Sequence, residues 1–340
     1  MNTHEYNNLE VMLEKDPDVL RALGITNLNS MTDMIIKDFK LMVNENLPDI
    51  TITRYLPVKY DNGSQFVFYF GDENETWVFS TPGKIKGDND NVVVRGIRNK
   101  KNIEMRRCFM EVNKLNDLII CISPCGSIVQ RYADTINDFN DIKIKRSIVD
   151  GIKKLHRKKN RIQLYFDVSN WYNEIFYIRI HDNKLISDEL DVYLRENLRN
   201  CYKVLKERKC LIHGDLAIRN IMTYKGEIQF IDWEFLSMGH PMVDIGYFIV
   251  SMCLDNYDNN RVSYAEYLRD CYLQARDILN YYNNGLTQKI SAVEGESGVN
   301  YFILEDILVT ILINTKKGVN KLKTYIDFRR KTDVSNLLCR

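Results

Sequence analysis

Residues 211–235 read LIHGDLAIRNIMTYKGEIQFIDWEF. Short apolar runs there enclose His213, Asp215, Asn220, Asp232 and Glu234, groups that are costly to bury without partners. Packing a pair of strands needs none of them. Lys225-Gly226 fits a two-residue hairpin turn, although Lys-Gly is a weaker signal than Asn-Gly. With that turn Tyr224 faces Glu227, and counting back along the ladder sets Asn220 opposite Ile231. Asn220 and Asp232 then stand side by side at the open end of the hairpin. Asp215, five residues before Asn220 on an irregular HGDLA loop, can reach the same end, and Ile221, Met222, Ile228, Phe230 and Ile231 supply the scaffold that holds them.

Asn and Asp oxygens brought together are hard ligands suited to Mg²⁺, which keeps several waters and completes its shell with phosphate oxygens. A further carboxylate beside such a metal can accept the proton of a hydroxyl that attacks a γ-phosphate. Any one of Asp215, Asn220 and Asp232 alone reads as a turn cap. Together with His213 at this spacing they point to phosphoryl transfer.

The bulk properties bound what else the chain can be. A length of 340 residues predicts two domains or two lobes of one enzyme. With 47 basic against 46 acidic residues the formal charge is +1, so no global field favours nucleic acid or an anionic membrane, and neither is expected as a partner. Residues 1–23 carry charges throughout and lack the apolar core of a signal peptide. The longest later apolar run, 307–313, is too short to span a bilayer. Eight scattered cysteines read as reduced, packed thiols. A cytoplasmic location is the expectation, and the oligomeric state is not legible.

Organisation along the chain is α+β. A helix is predicted over 31–47, before Pro48. From residue 50 the pattern becomes short β-rich runs, ITITRYLPVKY, SQFVFYF, TWVFS and NVVVRGI, parted by polar turns. A helix is predicted over 100–115, and strands over 118–123 and 127–132. After Asp134 the character is helical, with apolar stripes through Ile148, Ile152 and Leu155, through Leu190, Leu194, Leu198, Cys201 and Leu205, and through Ile303 to Leu312. The expected domains are a helical extension over 1–48, a small β-rich lobe over 49–134 and a larger helical lobe over 135–340.

HGDLAIRN followed by FIDWEF resembles the paired motifs of the aminoglycoside phosphotransferase and choline kinase family, a small-molecule branch of the protein-kinase-like fold. The resemblance implies a two-lobe fold with a small antiparallel sheet and one helix in the N-lobe, ATP and Mg²⁺ as cofactors, Asp215 as catalytic base, and Asn220 and Asp232 as metal ligands. SMGHPMVDIGYF resembles the element whose Asp, here Asp244, braces the catalytic loop, and His213 positions that loop. KKLH at 153–156 resembles the Leu-His that ends a helix in many relatives. IVQRYADT resembles the hinge, which implies that the backbone of Gln130, Arg131 and Tyr132 meets adenine. Arg95 in NVVVRGI is expected to touch the ATP phosphates, with Lys84 as rival, and Glu111 to pair with it, with Glu104 as rival. IDWEFLSMGHPMVDIG is most similar to the bacterial choline kinases. LAIRN, with Arg219, is nearer to protein tyrosine kinases and keeps a protein kinase open as the second reading; a nucleotide-binding pseudokinase regulator is the third.

The acceptor expected from the resemblance is a small cationic molecule, a choline-like amino alcohol or an aminoglycoside. Glu234 is expected to face it. Tyr247, Phe248, Tyr257, Tyr264 and Tyr267 lie near Asp255, Asp258 and Glu266 in sequence, a composition that permits a cation site.

Overall fold

The computed structural model describes residues 5–15, 28–57, 65–82, 105, 106, 108–110, 113, 115, 118–123, 127–159, 161–165, 180, 181, 183–207, 209–260 and 262–339. They divide into two compact units, the first ending at Asp134 and the second beginning at Thr135.

In the first unit helices α1 (Leu9–Lys15) and α2 (Leu28–Asn46) precede strands β1 (Arg54–Pro57), β2 (Gln65–Gly71), β3 (Thr76–Pro82), β4 (Ile119–Ile122) and β5 (Ile128–Arg131). These form an antiparallel sheet in the order β1-β2-β3-β5-β4. Alternation along β2 buries Phe68 and Phe70 on one face. Phe39 of α2 meets Phe70 edge-on at 4.9 Å and lies 5.2 Å from Phe68, and Phe79 of β3 completes the group. Each fully buried ring contributes about 2–3 kcal/mol relative to exposure. Leu9, Met12 and Leu13 enter the same core, and Tyr6 pairs with Tyr55 of β1. Described residues of helices α1 and α2 thus share the core of this sheet. The predicted strand over 91–97, with Arg95, and the helix positions Glu104 and Glu111 lie outside the described residues, as does Lys84.

The second unit holds helices α3 (Ile142–His156) and α4 (Asp188–Leu205), strands β6 (Cys210–Ile212), β7 (Ile221–Tyr224), β8 (Glu227–Phe230) and β9 (Ser237–Gly239), and helices α5 (Pro241–Asn260), α6 (Tyr264–Asn283), α7 (Ala292–Ile313), α8 (Thr315–Lys331) and α9 (Val334–Cys339). Helix α7 is apolar on nearly all sides because α4, α5 and α8 pack around it. Gly246 permits its contact with α5: a Cβ there would lie 2.9 Å from the Gly298 carbonyl oxygen. Capping boxes at Ser263–Glu266 and Ser291–Glu294 start α6 and α7. Burial opposes ionisation of Glu294, but hydrogen bonds from Lys209, Ser291 and His240 hold its carboxyl down at about 2. No helix among the described residues is long and apolar enough to cross a membrane.

Candidate functional site

The hairpin has the expected register. Tyr224 pairs with Glu227 and Ile221 with Phe230. Lys225 (φ 52°) and Gly226 (φ 80°) both take the left-handed conformation, the two-residue turn whose twist matches that of the strands. The Ile231 N–H donates to the Asn220 carbonyl at 3.0 Å, which carries the ladder one step further and leaves Asp232 at the open end beside Asn220. Asp232 is itself left-handed (φ 63°, ψ 61°), a conformation that a short polar side chain tolerates. It turns the chain into the single helical turn Trp233–Phe235, where the Trp233 indole N–H donates to the Phe230 carbonyl at 2.9 Å.

The loop carrying Asp215 follows β6, which pairs with β9. Gly214 (φ +86°) makes the bend, and a Cβ there would fall 2.6 Å from the Phe235 carbonyl oxygen, so only glycine fits. The N–H groups of His213 and Gly214 donate to the two oxygens of Asp244 at 2.9 and 2.8 Å. Asp244 is fully buried in the first turn of α5, where a carboxylate also suits the helix dipole. His156, the last residue of α3, donates from Nε2 to Asp244 at 3.0 Å, and the Tyr282 hydroxyl donates to its Nδ1 at 2.8 Å. One carboxylate thus ties the loop to three helices.

His213 is buried, and both its ring nitrogens are engaged. Nε2–H donates to the Ile231 carbonyl at 2.8 Å, and Nδ1 accepts from the Asp215 N–H at 3.3 Å. Burial pushes its pKa below the usual value, against the opposing pull of Asp244 and Asp215. The ring is a neutral spacer between loop and hairpin. The unfolded chain protonates this histidine near pH 6.5 while the folded chain resists. Stability is therefore complete above about pH 6.5 and falls as the pH drops below it, by up to about 1.4 kcal/mol per pH unit until the depressed folded pKa is reached. Urea titrations between pH 7 and 5 check this. His213→Asn is expected to flatten the slope, and an unchanged slope would assign it to other groups.

Asp215 is partly buried. The Asn220 amide N–H₂ donates to its carbonyl at 2.8 Å and to Oδ2 at 3.0 Å. This fixes the Asn220 side chain and leaves its amide oxygen as an acceptor without a partner among the described residues. Arg219 Nη2 donates to both Asp215 oxygens at 3.1 Å and lies 3.4 Å from the Tyr247 hydroxyl. With Asp232 and Asn220 both at the open end of the hairpin, an amide oxygen and a carboxylate make the sparse hard-oxygen set that suits Mg²⁺ bound chiefly through water and phosphate. Among the described residues no three His, Cys, Asp or Glu side chains form a metal cage of their own.

Arg219 as partner of Asp215, and Tyr247 as partner of Arg219, are not apparent from motif reading. The spacing of four between Asp215 and Arg219 is the signal that could have suggested the pair. The tyrosine cluster differs from expectation. Lys321 of α8 is buried, with Nζ 2.9 Å from Asp306, and lies 5.2 and 5.9 Å from the ring centres of Tyr264 and Tyr257. Tyr267 stacks on Tyr264 at 5.0 Å. Glu266 caps α6, and Asp255 and Asp258 are exposed. The aromatic faces are covered by the chain's own cation. Glu234 lies in the turn after Asp232, and its side chain is outside the described residues.

In the first unit, the Arg131 N–H donates to the Leu118 carbonyl at 2.8 Å and the Tyr132 N–H to the Thr76 carbonyl at 3.1 Å. These two backbone donors of the expected hinge segment 130–132 are thus used within the sheet. Arg131 also lies 5.8 Å over the Trp77 ring.

Residues 142–279 match the family described as the phosphotransferase enzyme family. Acyl-CoA dehydrogenase family member 11 of Mus musculus is 30% identical over 83 residues, and the chain spans 10% of that protein's length and 24% of its own in the match. Choline kinase LicA from Streptococcus pneumoniae superposes with a TM-score of 0.56 at 17% identity, covering 88% of this chain and 100% of the other. The ADP-bound aminoglycoside phosphotransferase APH(2'')-Ib superposes with a TM-score of 0.51 at 16% identity, covering 86% and 97%. At these identities the structural likeness establishes the fold. Residues 142–279 are thus similar to the phosphotransferase enzyme family, and the chain has the kinase-like fold of choline kinases and aminoglycoside phosphotransferases.

Proposed function

We propose that the chain is a small-molecule kinase that transfers the γ-phosphate of ATP, with Mg²⁺, to a hydroxyl group. The observation that carries this reading is the convergence of Asp215, Asn220 and Asp232 at one end of the hairpin, with the Asn220 amide fixed on Asp215 and its oxygen left open. Asp215 takes the proton of the acceptor hydroxyl. That oxygen bonds to the γ-phosphorus while the bond to the β,γ-bridging oxygen breaks, and ADP leaves. Asn220 and Asp232 would hold Mg²⁺, which neutralises charge on the phosphates when bound. Asp244 and His213 keep the loop in place. The ADP bound to the phosphotransferase named above supports an adenine nucleotide as donor.

In this reading Arg95, Glu111 and the segment 130–132 serve the nucleotide. Because the N–H groups of Arg131 and Tyr132 are used in the sheet, adenine falls to carbonyls of that segment or to the residues that follow. The unit from Thr135 serves catalysis and the acceptor, with Glu234 toward the acceptor. The choline and aminoglycoside in the relatives' names are cationic alcohols and match the acceptor expected from sequence; the chain's own charged groups argue for another class, taken up below. A protein substrate remains the second reading, on Arg219.

Asp232→Ala is expected to abolish metal-dependent ATP binding, because it removes the charged member of a two-residue ligand set. Calorimetric titration of Mg-ATP checks this. An unchanged affinity would remove Asp232 from the metal site.

A further inference from the structure

Arg219 is poorly explained as scaffold. Its side chain is 63% exposed, yet one of its nitrogens contacts both oxygens of Asp215. The guanidinium lies 5.9 Å from the ring centre of Tyr247, and that ring is held by parallel stacking on Phe302 of α7 at 4.8 Å and 4°. An exposed ion pair of this kind contributes little to stability. Its place beside the reacting carboxylate has a larger consequence for what can bind.

An acceptor hydroxyl that gives its proton to Asp215 comes within about 2.6–3.2 Å of a carboxylate oxygen. It must therefore share that carboxylate with Arg219. A cationic group two or three bonds from the hydroxyl would then stand roughly 5–6 Å from the guanidinium. At an effective dielectric near 20 the guanidinium repels such a cation and attracts an anion, and with the opposing pull of the Asp215 carboxylate and the exposure of Arg219 the net preference for the anion is roughly tenfold. A carboxylate or phosphate also matches the planar donor fork of arginine, which offers charge-assisted hydrogen bonds. The opposite chemistry, a cation held by aromatic faces, is already satisfied internally: Lys321 covers Tyr264 and Tyr257 and is neutralised by Asp306. Glu305 is close enough for its charge to act on Tyr247, so the preference set by Arg219 covers the few atoms around the hydroxyl and not the far end of a longer acceptor.

Resting on the assignment of Asp215 as base, we propose that the acceptor is an anionic alcohol, with a carboxylate or phosphate near its reacting hydroxyl, and that Arg219 determines this specificity. The anionic group takes Arg219 from one oxygen of Asp215 and so frees that oxygen for the hydroxyl proton. The phosphate ester forms as ADP leaves, and no other reactant is needed.

Two experiments test this. In the first, ADP release is followed with glycerate and glycerol phosphate, with neutral glycerol, and with choline, ethanolamine and an aminoglycoside. The anionic alcohols are expected to exceed the cationic ones in kcat/KM by about tenfold, Arg219→Gln to flatten that difference and Arg219→Glu to invert it. Faster turnover of the cationic alcohols, with the order unchanged in Arg219→Gln, would overturn the proposal. The second experiment needs no known acceptor. The chain is given γ-labelled ATP and a small-molecule extract, and the labelled product is run on an anion exchanger beside glycerol phosphate and phosphocholine. Elution after glycerol phosphate supports an anionic acceptor, and elution at or before it overturns the proposal while the kinase assignment stands. Absence of any Mg²⁺-dependent labelled product in the small-molecule fraction would remove the small-molecule kinase assignment and this inference with it.

Discussion

Asp215→Asn is expected to lower turnover by about 10²- to 10⁴-fold, the usual contribution of a general base. The substitution keeps the size and one acceptor oxygen of the side chain but cannot take up a proton at neutral pH. Folding should hold. Asp215 is partly exposed, and its pair with the exposed Arg219 is worth about 0–1 kcal/mol. The N–H groups of His213 and Gly214 stay held by Asp244, and the Asn220 amide keeps its bond to the Asp215 carbonyl. The expected signature is wild-type thermal stability and Mg-ATP affinity with nearly absent ADP production. Turnover within twofold of wild type would mean that another group accepts the proton.

Asp244→Ala should have the largest effect on stability. The carboxylate is fully buried and accepts from the N–H groups of His213 and Gly214 and from His156. Removing it strands three donors in a closed interior, each at about 1–3 kcal/mol. Breaking a buried charged network from one side typically costs about 3–5 kcal/mol, a large share of a total stability of about 5–15 kcal/mol. At roughly 2–4 °C per kcal/mol, the melting temperature should fall by about 6–20 °C, or the chain should fail to fold. Asp244→Asn keeps the shape but turns an N–H₂ toward one of the donors, so an intermediate loss is expected. Thermal unfolding of the three proteins decides the matter; an Asp244→Ala protein that melts with wild type would show that the loop does not depend on this brace.

Sequence made the hairpin legible because its signals are local. A two-residue turn fixes the register, and the register places Asn220 and Asp232 together without tertiary information. The strands of the small sheet were legible for the same reason, through alternation and turn residues. Three things were less so. The N-terminal helices read as an extension because nothing local reveals that Leu9, Met12 and Phe39 share a core with Phe68 and Phe79. The composition around the tyrosines of α5 and α6 permitted a cation site but could not name the cation, because Lys321 lies more than fifty residues further along the chain. Arg219 was visible as a departure from the small-molecule motif, but its role depends on side-chain direction on an irregular loop, which no periodicity encodes.

The central claim is that Asp215, Asn220 and Asp232 form a site for metal-dependent phosphoryl transfer to a small molecule. The most direct measurement follows γ-labelled ATP incubated with the chain and a small-molecule extract containing a trace of unlabelled protein, with and without Mg²⁺, for wild type and Asp215→Asn. The account predicts label in a small-molecule product that requires both Mg²⁺ and Asp215. Label that passes only to protein, or that remains in ATP and inorganic phosphate for both proteins, would contradict it.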